Sequence, residues 1–292
     1  MKKYISIFCL LFPFFHMVYG QKIYNGSVVN SKTKVPVPYA TVGFIKKNTG
    51  TNANEDGKFS IAIDANTKDT LAISCIGYET LILPFDGLPT DSLFEMQEKT
   101  STLKEVVVQT KQYNNSCILN KFTGISYNSY TSSGYITQMA QRFQAPIENS
   151  LLSEVNIYKE AEGKSLFRIR VYAMDTITKS PSIDLADTII EVKSGKEHVR
   201  INMEPYKIYI PDRDFFIAVE WLKVPYNFRQ QKSMFEGKEI ITEFYSPKIY
   251  VKKEIETLDK EWQPWHMNYK GKWLHLNDKR SLMISATLKY KS

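Results

Sequence analysis

The sequence is poor in the residues that build metal centres and nucleophilic sites. It holds three cysteines and four histidines in 292 residues. Cys9 stands in an apolar N-terminal run, which leaves Cys75 and Cys117 for the body of the chain. Two isolated cysteines cannot form a zinc knuckle, which needs about four clustered ligands. In an exported chain they could pair, but the plainer expectation is two free thiols, Cys75 in an apolar strand and Cys117 in a linker. Beyond the N-terminal run the histidines are His198, His266 and His275, and none has Glu three residues later. His275-Leu276-Asn277-Asp278 comes nearest, and one such spacing makes no metal site. No P-loop, dinucleotide fingerprint, zincin motif or nucleophile elbow occurs. Neither metal nor cofactor is therefore expected. Past residue 20 no apolar run approaches the roughly 18 residues of a membrane helix. No Lys/Arg block occurs, which argues against nucleic acid as a partner. Long amphipathic helices are absent.

The N-terminus does carry a signal. Lys2 and Lys3 precede an apolar run from Ile5 to Phe15, and Val18-Tyr19-Gly20 precedes Gln21. This pattern reads as a secretory signal peptide over residues 1–20. No cysteine stands at or just after Gly20, which disfavours a lipoprotein anchor. The expected location is the periplasm or the outer membrane. The net charge of +7 includes two signal lysines. Residues 21–110 hold 9 basic and 10 acidic residues, and residues 111–292 hold 27 and 21, interspersed as on an ordinary solvated surface.

The remaining pattern has period two. Strands are predicted near 22–30, 38–47, 57–63, 69–76, 78–84 and 103–109, with turn residues between. Asp56-Gly57 is a tight-turn signal. The polar stretch Gln109–Ser116 divides the chain into domains at 21–110 and 117–292. In the second, Leu166–Tyr172 alternates, with Phe167, Ile169 and Val171 toward a core and Arg168, Arg170 and Tyr172 away from it. Phe215–Leu222 is almost wholly apolar, as in a strand buried on both faces. Ser281–Tyr290 reads as a terminal strand. The expected fold is all-β, two antiparallel sandwiches in series. A membrane β-barrel is the architectural alternative; against it, residues 21–110 complete a small soluble domain.

Several short motifs follow in order through residues 22–108. They are Gly26-Ser27-Val28-Val29, Pro36-Val37-Pro38-Tyr39-Ala40-Thr41-Val42, the segment Gly50–Ile61 read as a hairpin, Leu71–Tyr78, and Leu103-Lys104-Glu105-Val106-Val107-Val108. This series resembles the carboxypeptidase-regulatory-like domain, a transthyretin-like sandwich. The variant it resembles stands at the N-terminus of starch-utilisation-type TonB-dependent transporters and on smaller exported bacterial proteins. Ala53 departs from the usual Thr of that pattern. The resemblance implies a folding module and no peptidase chemistry. Gly57 supplies a positive φ, and Gly77 turns the chain beside Tyr78. The strand order over 135–292 is similar to a jelly-roll module, an order shared by carbohydrate-binding modules and by scaffold domains.

In the second domain Glu220 is the most unusual carboxylate. The plainest account of it is a bond to a neighbouring Arg or Tyr. A glycosidase-type carboxylate pair is defined by spatial separation and stays open. The strongest positive signal is aromatic. Trp262, Trp265, Tyr269 and Trp273 fall within twelve residues, with His266 and His275 among them. Such rings stack on sugars or anchor protein partners, or they pack between sheets; both readings stand. Trp221 is expected in the core. The combination points to a non-enzymatic exported envelope protein that binds a glycan or an envelope protein. The alternatives are an accessory of a TonB-dependent nutrient uptake system, with a transporter as partner, and a glycan-active enzyme.

Overall fold

A computed structural model describes residues 21–99, 113–122, 126, 128–132, 134–253, 264–276 and 280–291. The predicted signal segment, the predicted strand at 103–109 and Trp262 lie outside the described residues. Within them the chain is almost entirely β, and no helix is long and apolar enough to cross a membrane.

The first sandwich comprises β1 (Gln21–Asn30), β2 (Thr41–Phe44), β3 (Thr49–Asn52), β4 (Lys58–Asp64), β5 (Lys68–Ser74), β6 (Leu81–Asp86) and β7 (Ser92–Met96). Its sheets run β4-β1-β7 and β3-β2-β5-β6. All pairings are antiparallel except β1 with β7, which is parallel. Alternation in β4 and β5 sends Phe59, Ile61, Ile63, Leu71 and Ile73 inward, where they meet Tyr24 and Phe94.

Two expectations need correction here. The predicted strand at 38–47 begins only at Thr41, because Tyr39 has a left-handed φ of 57°. The hairpin read over Gly50–Ile61 is not formed. The turn at Asp56-Gly57 exists, with Gly57 at φ 72°, but β3 pairs with β2 and β4 pairs with β1. The turn therefore carries the chain from one sheet to the other. It packs against β1, where Val28 N donates to Gly57 O at 2.8 Å. Short-range sequence fixes a turn but not the strand that each arm joins.

The second sandwich opens with β8 (Asn115–Leu119), β9 (Asn128–Ser132), β10 (Ile136–Gln144), β11 (Ser150–Tyr158), β12 (Ser165–Met174) and β13 (Pro181–Asp184). There follow β14 (Ile190–Ser194), β15 (His198–Asn202), β16 (Tyr209–Ile210), β17 (Asp214–Trp221), β18 (Phe228–Phe235) and β19 (Lys238–Lys253). The last four are β20 (Trp265–Asn268), β21 (Trp273–His275), β22 (Arg280–Leu282) and β23 (Ile284–Tyr290). One layer is the seven-stranded sheet β13-β12-β17-β10-β20-β21, with β14 also on β12. The other contains β15-β11-β23-β8 with β16, and β18-β19-β22 with β9. A single core joins the layers through Phe167, Ile169, Ile217, Leu152, Leu288 and Ile249. Trp221 is buried there as expected, and its Nε1 donates to Pro247 O at 2.6 Å. The predicted terminal strand divides at Met283: β22 pairs with β19, and β23 pairs with β11 and β8. Cys117 stands in β8, not in a linker, and both Cys75 and Cys117 are free thiols.

Candidate functional site

The seven-stranded sheet has its inner face in the core. Its outer face is built by the alternate residues Arg168, Arg170 and Tyr172 of β12, Phe216, Ala218 and Glu220 of β17, and Gln138, Ala140 and Arg142 of β10. The predicted alternation of Leu166–Tyr172 is thus observed, yet the outward residues are not free in solvent. Arg168, Tyr172 and Glu220 are buried. Two different coverings account for this.

One half of the face is covered by the first sandwich. Arg168, fully buried, donates to Pro38 O at 3.2 Å and to Tyr39 O at 3.4 Å, and its guanidinium lies 5.4 Å from the centre of the Tyr39 ring. The left-handed turn at Tyr39 is what presents these carbonyls. Leu166, Leu222 and Val224 pack beneath the same ring. Further along the joint, Lys223 N donates to Asn52 Oδ1 at 2.8 Å, and Thr51 Oγ1 donates to Lys223 O at 3.3 Å. Tyr269 completes the seam. Its ring packs closely against Gly43 and Gly50, which are paired across β2 and β3. A Cβ on Gly43 would stand 2.9 Å from Tyr269 Cδ1. The Lys223 ammonium lies over the Tyr269 and Tyr245 rings, at 5.1 and 5.9 Å, and donates to Gly134 O. Burial pushes its pKa down to about 8.

The other half carries an aromatic layer. Ala140 and Ala218 are small and adjacent in the sheet, and they form a floor on which Tyr172, Trp265 and Trp273 lie. Trp273 meets Tyr172 edge-on at 5.4 Å, and Trp265 meets His275 edge-on at 4.9 Å. Tyr172 donates to Gln138 Oε1 at 2.8 Å, and burial pushes its phenol up. Beside the rings Arg170 bridges two carboxylates, Asp184 at 2.6 Å and Glu220 at 3.1 Å. Burial pushes the Asp184 carboxyl up, against the pull of Arg170. At the far end Arg142 pairs with Asp214 at 2.9 Å.

The structure therefore separates the predicted aromatic residues. Trp265 and Trp273 stand together on adjacent strands, both partly exposed. The Trp265 Nε1 is buried without an acceptor among the described residues. Tyr269 is only 6% exposed and packs the interdomain seam, so of the two readings of this ring, packing describes it. His266 faces Tyr135 at 5.9 Å, and burial lowers its pKa. Glu220 is bonded to a neighbouring Arg, as its plainest account required. Tyr172, Arg170 and Asp184 were not singled out as site residues. Alternation placed Tyr172 and Arg170 on this face, but nothing local tied Asp184 to it.

Residues 24–108 match the family model of the CarboxypepD_reg-like domain, which bears out the resemblance carried by the motifs of the first sandwich. Among solved structures, the chain is similar to the cysteine protease and lectin-like domains of Cwp84, a surface layer associated protein of Clostridium difficile. That likeness has 10% identity and a TM-score of 0.40, covering 86% of this chain and 58% of that one. It is also similar to a candidate carbohydrate-binding protein of Bacteroides uniformis ATCC 8492, at 8% identity and a TM-score of 0.23, covering 78% of this chain and 96% of that one. Likenesses of this degree assign no ligand. No curated protein matches the chain.

Proposed function

We propose that this chain is a non-enzymatic binding protein of the bacterial cell envelope, exported to the periplasm or outer membrane, that holds a glycan on the outer face of its seven-stranded sheet. The observation that carries this reading is the pairing of two partly exposed indoles, Trp265 and Trp273, with polar groups fixed beside them. The C–H face of a sugar ring packs against an indole, while rigid polar neighbours select its hydroxyls. Gln138 is held by the Tyr172 hydroxyl, and Arg170 and Asp184 are held by each other, so these groups are fixed beside the rings. The carboxylates most suited to acid–base chemistry, Asp184 and Glu220, are both committed to Arg170, which favours binding over turnover. The first sandwich covers the other half of the same face and serves as a rigid docking module.

The test is a glycan-array screen on residues 21–292, repeated with Trp273→Ala and Trp265→Ala. Binding that both substitutions abolish, with circular dichroism unchanged, supports the site. Binding that survives both, or silence from the well-folded parent, removes it and turns attention to an envelope protein partner. The family match of residues 24–108 favours a second reading, an accessory of a TonB-dependent nutrient uptake system. Genomic surroundings that lack any such transporter would count against that reading.

A further inference from the structure

Strands β18 and β19 leave the body of the second sandwich as a two-stranded ribbon. Their pairing runs from Phe228↔Tyr245 to Phe235↔Lys238. At its base Arg229 donates to the carbonyls of Tyr226, Phe228 and Lys164, at 2.8–2.9 Å. Beyond that anchor both strands are exposed on both faces. The ribbon ends in a two-residue turn, Glu236-Gly237, with φ of 49° and 78°, the primed geometry that suits a right-twisted hairpin. Two-stranded ribbons are marginal by themselves. This one exposes Met234 (69%) and Phe235 (62%) at its tip, and Tyr226 (40%) and Phe228 (36%) at its base. Strand β18 pairs only with β19, so its outer edge is unpaired among the described residues.

The turn fixes which backbone groups point outward. In a two-residue hairpin the flanking residues, Phe235 and Lys238, form the hydrogen-bonded pair, and the pattern alternates from there. The outward N–H and C=O groups of β18 are then those of Phe228, Gln230, Lys232 and Met234. An antiparallel mate must match outward residues with outward residues, so only alternate registers are open to a second copy of the same edge. The register centred on Lys232 sets that lysine against itself. On the outer edge of β19, the register centred on Ile241 sets Glu239 against Glu243. The register of β18 centred on Gln231 opposes Phe228 to Met234, Arg229 to Ser233, and Gln230 to Lys232. No like charges stand directly opposite each other, and the apolar tip of each ribbon reaches the apolar base of the other, where Tyr226 and Phe228 stand.

We propose that the chain self-associates through this edge: two copies align their β18 strands antiparallel about Gln231 and form a continuous four-stranded ribbon, β19-β18-β18-β19. The contact is isologous, as a two-fold dimer requires. A lipid surface suits the ribbon less, since Glu236 occupies its tip.

Cysteine scanning on residues 21–292 tests the register. In the proposed pairing the two Gln231 residues form a non-hydrogen-bonded pair with Cα atoms about 4.5 Å apart, within the reach of a disulfide. Gln231→Cys should therefore give a disulfide-linked dimer under mild oxidation. Gln230→Cys and Ser233→Cys should remain at the parent's background, because each faces a different residue. Sedimentation of the parent should show a concentration-dependent dimer, and Met234→Asp should weaken it about tenfold or more. Equal crosslinking at all three positions, or a parent monomeric at every concentration, overturns the proposal.

Discussion

The seam between the sandwiches makes a sharp prediction at Gly43. A methyl group there would lie 2.9 Å from Cδ1, 3.2 Å from Cβ and 3.4 Å from Cγ of Tyr269. The first distance is well inside van der Waals contact. The ring cannot retreat easily, because Lys223 lies over it. Overpacking of this kind costs about 1–3 kcal/mol, and Gly43→Ala should destabilise the protein by that amount. Tyr269→Ala removes a buried ring and should cost about 3–5 kcal/mol. In the double variant the methyl has nothing to strike, so Gly43→Ala should add little or nothing. The coupling is then about 1–3 kcal/mol between residues 226 positions apart in sequence. Gly43 is a better probe than Gly50, where a Cβ would also meet Val42 O at 2.4 Å and strain its own sandwich. Urea denaturation of the four proteins at one pH measures the cycle, with m-values checking that the transition stays intact. If Gly43→Ala costs the same with and without the Tyr269 ring, the strain is internal to the first sandwich and the seam does not couple the two.

Three further outcomes follow from the same joint and face. Lys223 titrates near 8 in the folded chain against about 10.4 unfolded. Between these values the unfolded state holds the extra proton, so stability should rise by about 1.6 kcal/mol from pH 8 to pH 9.5, and Lys223→Met should flatten that rise. Arg170→Leu strips the buried Glu220 and the half-buried Asp184 of their shared cation and should cost about 3–5 kcal/mol in chemical denaturation. Adding Asp184→Asn and Glu220→Gln should recover most of the loss, and failure to recover would show that the cost lies in packing. Thiol titration of residues 21–292 should find two free thiols in denaturant, with both slower in the native state because burial pushes both thiols up; a single thiol or none would refute the unpaired assignment.

Alternation made most strands legible. Phe167, Ile169 and Val171 were placed inward, and β17 was placed between two covered faces, because the side-chain period of a strand is fixed by its backbone. Pairing was less legible. The turn at Asp56-Gly57 was visible, but its arms join different sheets. The apparent strand over Ser281–Tyr290 is two strands, because partners β19 and β11 stand in different sheets. The candidate site was half visible: aromatic spacing singled out Trp265 and Trp273, while Asp184 and the pairing across Arg170 needed the assembled sheet.

What the sequence by itself determined was local: the periodicity of the strands, the turns that glycine permits, the motif order of residues 24–108, and the supply of aromatic rings. Those properties depend on neighbours one to ten residues away. The tertiary structure decided which side of each ring is used. Tyr269 and Trp273 are four residues apart and alike in chemistry, yet one is pressed onto Gly43 and Gly50 and the other is left partly open beside Tyr172. The difference arises from a surface more than two hundred residues earlier in the chain. Burial is a property of the whole packed molecule, and no local pattern carries it.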